Sequence, residues 1–339
     1  MTDQKFQTYE LGDFALQSGI TLADAKLAYR TFGTLNADKS NAILYPTWYS
    51  GFIENNEWLI GEGMGLDPNK YFIVVPALFG NGESSSPNNV GLAQSGPRFP
   101  KVTMYDNVRA QHTFITEHFG IEHLRLVVGW SMGAGQTYQW GVSYPDMMDG
   151  LLPFCGSTRT SPNNFVFLEA VRAAIMTDAA WEDGWYTSPP NKGLRAVGRV
   201  YAGWGLSAAF YWDEVWRDFG FTSLEDFLVR YWEGHFLGRD ANCLLVLADT
   251  WQTANVGNTP GCDGDLEKAL ARIKAPLIQM PGHEDRYFAP EEDQWAGQFI
   301  KGSEFRPIPG VWGHFAGIGM NPVDTAFIDK AVKDLLGDD

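Results

Sequence analysis

The stretch Leu126-Val127-Val128-Gly129-Trp130-Ser131-Met132-Gly133-Ala134-Gly135 joins an apolar run to a helical one through a serine. The residues before Gly129 suit a buried strand, and Gln136, Tyr138, Gln139 and Trp140 continue without a breaker as far as Pro145. Between the two runs stands Gly-x-Ser-x-Gly. A strand that turns into a helix in this way is a nucleophile elbow: small neighbours permit a tight turn, and the strained serine projects its Oγ. In a chain with 37 glycines the five-residue pattern also recurs by chance, so its flanks and its chemical partners must carry the assignment.

The order of segments around the elbow sets the fold class. Residues 6–35 alternate apolar and polar positions, broken by Gly19 and Gly33, and read as antiparallel opening strands. Short buried strands follow at Ala42-Ile43-Leu44-Tyr45-Pro46 and at Tyr71-Phe72-Ile73-Val74-Val75-Pro76. The next segment, Phe79 to Pro87, has Gly-x-Gly after a strand, yet it lacks Gly-Lys-Ser/Thr, has Ser85 at the third glycine position and is stopped by Pro87. It reads as a turn-rich loop beside the active site. A helix opens at Tyr105 with Asp106 as its cap and runs to about His118. Strand, helix, strand, helix implies an α/β fold with a mostly parallel, doubly wound sheet.

Beyond the elbow helix, Gly150 to Cys155 is another strand, and then the rhythm changes. From about 158 to 262 the segments are helical and carry Trp181, Trp185, Trp204, Trp212, Trp216, Trp232 and Trp251. These form an inserted helical cap over the C-terminal edge of the sheet. Core packing is the ordinary role of any one of these tryptophans, but together they make a pocket apolar and exclude water. Sheet character returns at Ala275 to Gly282, Phe305 to Pro309 lead into a Gly-rich loop with His314, and a last helix spans about Val323 to Leu336. The expected organisation is a hydrolase-like core in two parts, 1–157 and 264–339, around a cap at 158–263.

Bulk properties agree with one large domain carrying an insertion, or with two ordinary domains. The 339 residues are 45% hydrophobic and 14% aromatic, without repeats. A net charge of −16, from 25 Lys and Arg against 41 Asp and Glu, opposes binding to nucleic acid or to anionic membranes. Residues 1–7 lack the apolar core of a signal peptide, and no run approaches a membrane span, so a cytoplasmic protein is expected. Cys155, Cys243 and Cys262 are too few and too far apart for a disulfide framework or a zinc site, and read as buried thiols.

A serine hydroxyl needs a general base and a carboxylate to hold that base in the right tautomer. In the order set by the elbow, an Asp or Glu should follow a late strand and a His should lie before the last helix. Asp285 and His314 occupy those places. Glu284 is the alternative acid, and Asp285 has a second reading as a loop residue capping a helix near Pro290. The following Arg286-Tyr287-Phe288-Ala289-Pro290 favours Asp285. Among the six histidines only His314 lies in a Gly-rich loop after a late strand. Two backbone amides should stabilise the oxyanion: that of Met132, and one from Trp48 or Tyr49, of which Tyr49 is preferred. Neither His-Glu-x-x-His nor Cys-x-x-Cys occurs, so neither metal nor cofactor is expected.

With these residues in hand the chain resembles the homoserine O-acetyltransferase family of α/β-hydrolases over most of its length. The resemblance lies in Asn81-Gly82 with Ser84-Ser85-Ser86-Pro87, Asp106-Asn107-Val108-Arg109-Ala110-Gln111, Gly129-Trp130-Ser131-Met132-Gly133, and Gln139-Trp140 before Tyr144-Pro145. In the cap it extends to Ala174-Ile175, Asp178, Trp181, Gly184, Tyr186 and Gly193-Leu194. It implies a helical cap, a ping-pong acyl-serine mechanism on Ser131, Asp285 and His314, and a dimer formed through the cap, which no residue by itself requires.

Two departures bear on the acceptor. Members acting on homoserine usually carry an Ala-Arg pair shortly after the cap's Gly-Leu, the arginine being suited to the amino-acid carboxylate; here Gly198 takes that place, with Arg199 displaced by one. They also usually carry an acidic residue after the histidine, and here it is Phe315. An apolar pocket built from Trp48, Trp130 and Phe315, with Arg199 as its one candidate cation, favours simple esters with water as acceptor. The expected function is therefore a serine esterase acting on small acyl esters. The alternatives are an acyl-CoA-dependent O-acyltransferase, with acyl-CoA as co-substrate, and a non-enzymatic ligand-binding protein, against which a complete Ser, Asp and His set argues.

Overall fold

A computed structural model describes residues 6–338. Its eight strands form one sheet, β1 (Gln7–Ala15), β2 (Thr21–Phe32), β3 (Ala42–Leu44), β4 (Phe72–Pro76), β5 (Leu126–Trp130), β6 (Leu151–Phe154), β7 (Leu277–Gln279) and β8 (Ser303–Phe305). The spatial order is β1-β2-β4-β3-β5-β6-β7-β8. The β1–β2 and β2–β4 pairs are antiparallel, and the rest of the sheet is parallel. The last strand lies slightly earlier than the sequence suggests: β8 ends at Phe305, and Ile308 retains only an isolated bridge to Gly282. Pro307 and Pro309 flank that bridge and lack the N–H groups that a longer ladder needs.

Strands β3 to β7 read as nearly unbroken apolar runs because both faces of the sheet are covered there. Side chains alternate along each strand, so Ile43, Ile73, Leu126, Val128 and Leu152 join one core while Leu44, Val74, Val127 and Leu151 join the other. The first core is covered by the C-terminal helix Pro322–Leu336 and by the insertion, through residues such as Ile328 and Val332, and Val197 and Trp251. Helices α1 (Met104–His118) and α2 (Met132–Ser143) cover the second, through residues such as Phe114 and Tyr138.

Helix α1 starts one residue earlier than expected, and Asp106 is not its cap. Thr103 is the N-cap: its Oγ1 accepts the Asp106 amide at 3.1 Å, and Asp106 Oδ2 accepts the Thr103 amide at 3.0 Å. Asp106 is thus the returning half of a capping box. The glycine and serine loop after β4 lies beside the turn that follows β3, where Asn81 Nδ2 donates to Gly51 O at 3.3 Å, and its serines brace β2. Ser84 Oγ accepts the Ala28 amide at 2.9 Å and Ser85 Oγ the Lys26 amide at 2.8 Å.

Between β6 and β7 the described residues contain helices and one isolated bridge, Arg159 to Asn255. Main elements of this insertion are α3 (Pro162–Met176), α4 (Asn191–Gly205), a π-helical turn at Leu228–Glu233, the short helix Gly234–Leu237 and the helix Ala241–Gln252. No helix of the described residues is long and apolar enough to cross a membrane. Residues 1–5, which enter the expectation of no signal peptide, lie outside the described residues.

Candidate active site

Ser131 stands between β5 and α2 with φ 57° and ψ −122°. A side chain rarely tolerates this conformation, and here its neighbours enforce it. The Ser131 amide donates to Phe154 O at 3.1 Å, and its carbonyl accepts the Gly135 amide at 3.1 Å. The motif glycines are needed for close approach: a Cβ on Gly129 would stand 2.3 Å from the Gly133 carbonyl, and one on Gly133 would stand 2.9 Å from Pro46 O.

The structure brings Ser131, Asp285 and His314 together from beyond the C-terminal ends of the parallel strands β5, β7 and β8. Ser131 Oγ lies 3.0 Å from His314 Nε2, and His314 Nδ1 lies 2.8 Å from Asp285 Oδ2. All three residues are buried. The carboxylate that reaches His314 is Asp285, not Glu284, because the turn after Gly282 points Asp285 inward. Its other oxygen, Oδ1, accepts the amides of Tyr287 at 2.8 Å and Phe288 at 3.1 Å. The His314 ring is held between Tyr287 and Trp130, with centroids at 4.5 and 4.8 Å, and Trp130 Nε1 donates to His314 O at 3.1 Å. With Nδ1–H donating to the carboxylate, Nε2 is left to accept the serine proton.

Ser131 opens into a cavity of about 210 Å³. Trp48, Trp130 and Phe315 line it, as the sequence suggests. Arg199 does not. It lies on the outer side of α4, where its Nε donates to Glu233 Oε1 at 2.7 Å and its guanidinium is shared with Glu225. Two carboxylates claim this cation, and they keep it turned away from the cavity. Gly198 is closed off as well: a Cβ there would meet Trp232 O at 2.6 Å and Glu233 N at 2.9 Å. Of the insertion's seven tryptophans, Trp232 and Trp251 line the cavity, while Trp212 is 87% exposed.

Met132 is the first residue of α2, where a helix leaves amides without intrahelical acceptors. Among the described residues the amides of Met132, Trp48 and Tyr49 meet no backbone acceptor. Trp48 packs on Trp130 at 4.4 Å, so the loop after β3 sits beside the elbow. No group of three or more His, Cys, Asp or Glu side chains among the described residues is arranged to hold a metal ion.

A sequence model described as the alpha/beta hydrolase fold matches residues 50–210. The ethyl acetate hydrolase of Pseudomonas veronii is 41% identical over 328 residues, covering 96% of this chain and 93% of that protein. The chain belongs to the α/β-hydrolase family. This α/β-hydrolase superimposes on the solved structure of the acetyl esterase MekB with a TM-score of 0.96 at 40% identity, covering 98% of this chain and 96% of that one. It is also 32% identical to the homoserine O-acetyltransferase of Chlorobaculum tepidum over 347 residues, 98% of this chain and 94% of that protein. The resemblance to that acyltransferase family therefore holds, and relatives named as esterases stand above it in identity.

One pair in the cavity wall carries no sequence signal. Ser50 Oγ is hydrogen-bonded to His235 Nε2 at 3.0 Å, and both residues line the cavity. His235 lies in an aromatic helical segment without a motif, and nothing in the spacing of residues 50 and 235 pairs them. Three of the other four histidines have side-chain partners elsewhere, since His112 stacks on Tyr144, His118 bonds Tyr29 and His123 bonds Asp149, while the His283 amide donates to Ile308 O at 3.0 Å.

Proposed function

We propose that this esterase hydrolyses small acyl esters, acetate esters of short alcohols foremost, through an acyl-enzyme on Ser131. The observation that carries the reading is the continuous Ser131, His314, Asp285 hydrogen-bond chain, whose serine and histidine line a small aromatic cavity. His314 Nε2 takes the Ser131 proton as Oγ attacks the ester carbonyl, then returns it to the departing alcohol. Water, activated by the same nitrogen, attacks the acyl-serine and releases the acid. The amide of Met132 and that of Tyr49, or alternatively Trp48, receive the oxyanion, each contributing roughly 3–4 kcal/mol to the barrier reduction.

Water is favoured over homoserine as acceptor on the same wall of the cavity. A zwitterionic acceptor entering an apolar site needs a partner for its carboxylate and one for its ammonium, since an unpaired buried charge is strongly disfavoured. Arg199 is engaged by Glu233 and Glu225, Gly198 has no room for a side chain, and Phe315 packs against Trp232 with centroids 5.0 Å apart.

The test is turnover of ethyl acetate and of a p-nitrophenyl ester series, set beside acetyl-CoA with homoserine. Expected are rapid hydrolysis of the shortest acyl chains, its loss in Ser131→Ala, and no homoserine-dependent release of CoA. Homoserine-dependent CoA release would replace this reading with the acyltransferase. Ligand binding without turnover of any ester would replace it with a binding protein.

A further inference from the structure

Ser50 follows Tyr49 in the turn after β3 and adopts φ +60°, a left-handed value uncommon for a residue with a Cβ. Two side chains of the helical insertion hold it there, while Asn81 of the core holds its neighbour by donating to Gly51 O at 3.3 Å. Ser50 Oγ is hydrogen-bonded to His235 Nε2 at 3.0 Å, and Ser50 O accepts Arg239 Nε at 2.6 Å. The Arg239 guanidinium also lies over the Phe52 ring, 4.1 Å from its centroid. Within the turn the Gly51 amide donates to Trp48 O at 3.0 Å, and a Cβ on Gly51 would stand 2.6 Å from the Trp48 indole. The turn is therefore folded tightly on itself and tied at one residue to two side chains almost two hundred positions away. Both Ser50 and His235 face the cavity that holds Ser131.

We propose that His235 is a positioning residue: through Ser50, and together with Arg239, it holds the 48–51 turn so that a backbone amide of that turn meets the oxyanion. This rests on the oxyanion role given above to Tyr49 or Trp48. A donor acts on the transition state only when it is already in place, and a displacement of about 1 Å costs on the order of a hundredfold in rate. A loop residue in a disfavoured conformation does not hold such a place by its own propensity. The seating of the insertion on the core thereby sets the rate of acyl transfer, although neither His235 nor Arg239 touches the reacting atoms. Burial, and then the Arg239 charge, push the His235 imidazole down to about 3. The ring is neutral wherever the enzyme is assayed near neutrality, so the tie is a fixed hydrogen bond and not a pH switch.

The experiment compares His235→Ala, His235→Gln, Ser50→Ala, Ser50→Gly and the double variant His235→Ala/Ser50→Ala on p-nitrophenyl acetate. It measures kcat and KM separately, inactivation by a phosphonate that forms a tetrahedral adduct on Ser131, and the thermal midpoint. His235→Ala and Ser50→Ala should lower kcat and phosphonate reactivity by between about tenfold and about a hundredfold, with KM little changed. The double variant should be no worse than either single one, because both remove the same bond. His235→Gln, whose carboxamide nitrogen can replace Nε2, should recover most of the loss. Ser50→Gly separates rate from stability, since it relaxes the strained φ while removing the tie: its thermal midpoint should hold or rise as kcat falls. Wild-type kcat in His235→Ala, a change confined to KM, or additive losses in the double variant would overturn the proposal. If Ser131→Ala abolishes hydrolysis while His235→Ala does not, only the positioning role fails; if Ser131→Ala hydrolyses normally, the acyl-serine reading fails first.

Discussion

At Gly198 a Cβ would stand 2.6 Å from the Trp232 carbonyl oxygen and 2.7 Å from its carbon. These are backbone atoms, which cannot swing aside. The position at which the resemblance to the acyltransferases led one to expect a carboxylate-binding arginine is thus closed off by main chain. Restoring that arginine does not restore the function: Gly198→Arg should show no homoserine-dependent release of CoA from acetyl-CoA, and its appearance would contradict the account of this wall. The milder Gly198→Ala should cost about 1–3 kcal/mol by overpacking, read as a lower urea midpoint. The neighbouring Arg199 is about half exposed and engaged by Glu225 and Glu233 outside the cavity. Arg199→Ala should accordingly leave kcat/KM for p-nitrophenyl acetate unchanged, and a large loss would return it to the substrate wall.

At the scale of elements, function depends on where strands and helices end. Ser131 takes its place because β5 stops at Trp130 and α2 starts at Met132, with two glycines allowing the close contact between them. Helix α1 supports α2 from outside and begins with the Thr103 and Asp106 capping box. Thr103→Ala should lower stability by about 1 kcal/mol in urea unfolding, with ester hydrolysis by the folded enzyme intact. In the insertion, the π-helical turn Leu228–Glu233 places Tyr231 and Trp232 in the cavity wall and lays its backbone against Gly198. A π-turn is an irregularity often found at functional sites, and here one short element both walls the cavity and closes the arginine position.

At the scale of the whole molecule, Asp293 ties the helix Pro290–Gly297 to the second core. Its Oδ1 accepts the Tyr138 hydroxyl at 2.7 Å, and Gln279 Nε2 donates to the same hydroxyl at 3.0 Å. Burial pushes the Asp293 carboxyl from the ordinary 3.8 up to about 8, with the Glu292 and Asp285 charges adding to the rise and the Tyr138 hydrogen bond opposing it. Between those two values the folded chain holds a proton that the unfolded chain has lost. Its contribution to stability is fully present below the lower value and is lost as pH rises through the upper one, at up to about 1.4 kcal/mol per pH unit. Asp324, Glu83 and Glu292 are raised by burial in the same sense. The difference between wild type and Asp293→Asn therefore isolates Asp293: urea midpoints across this window should fall more with pH for wild type than for the variant. Parallel curves would show that Asp293 does not titrate there.

The local signals in the chain were enough for the elbow, the parallel sheet and the Ser131, Asp285, His314 set, because each rests on short-range chemistry: glycines where the backbone closes on itself, apolar runs where a strand is buried on both faces, and a fixed chain order of nucleophile, acid and base. They also pointed away from a homoserine site through Gly198 and Phe315. Spacing could not turn Arg199 outward, move the helix cap from Asp106 to Thr103, or pair Ser50 with His235. Those outcomes depend on which side chains meet after distant segments pack, and on carboxylates such as Glu233 and Glu225 competing for one cation. Packing alone brings His235 and Arg239 onto Ser50, and it is there that the fold ties its insertion to the turn beside the nucleophile.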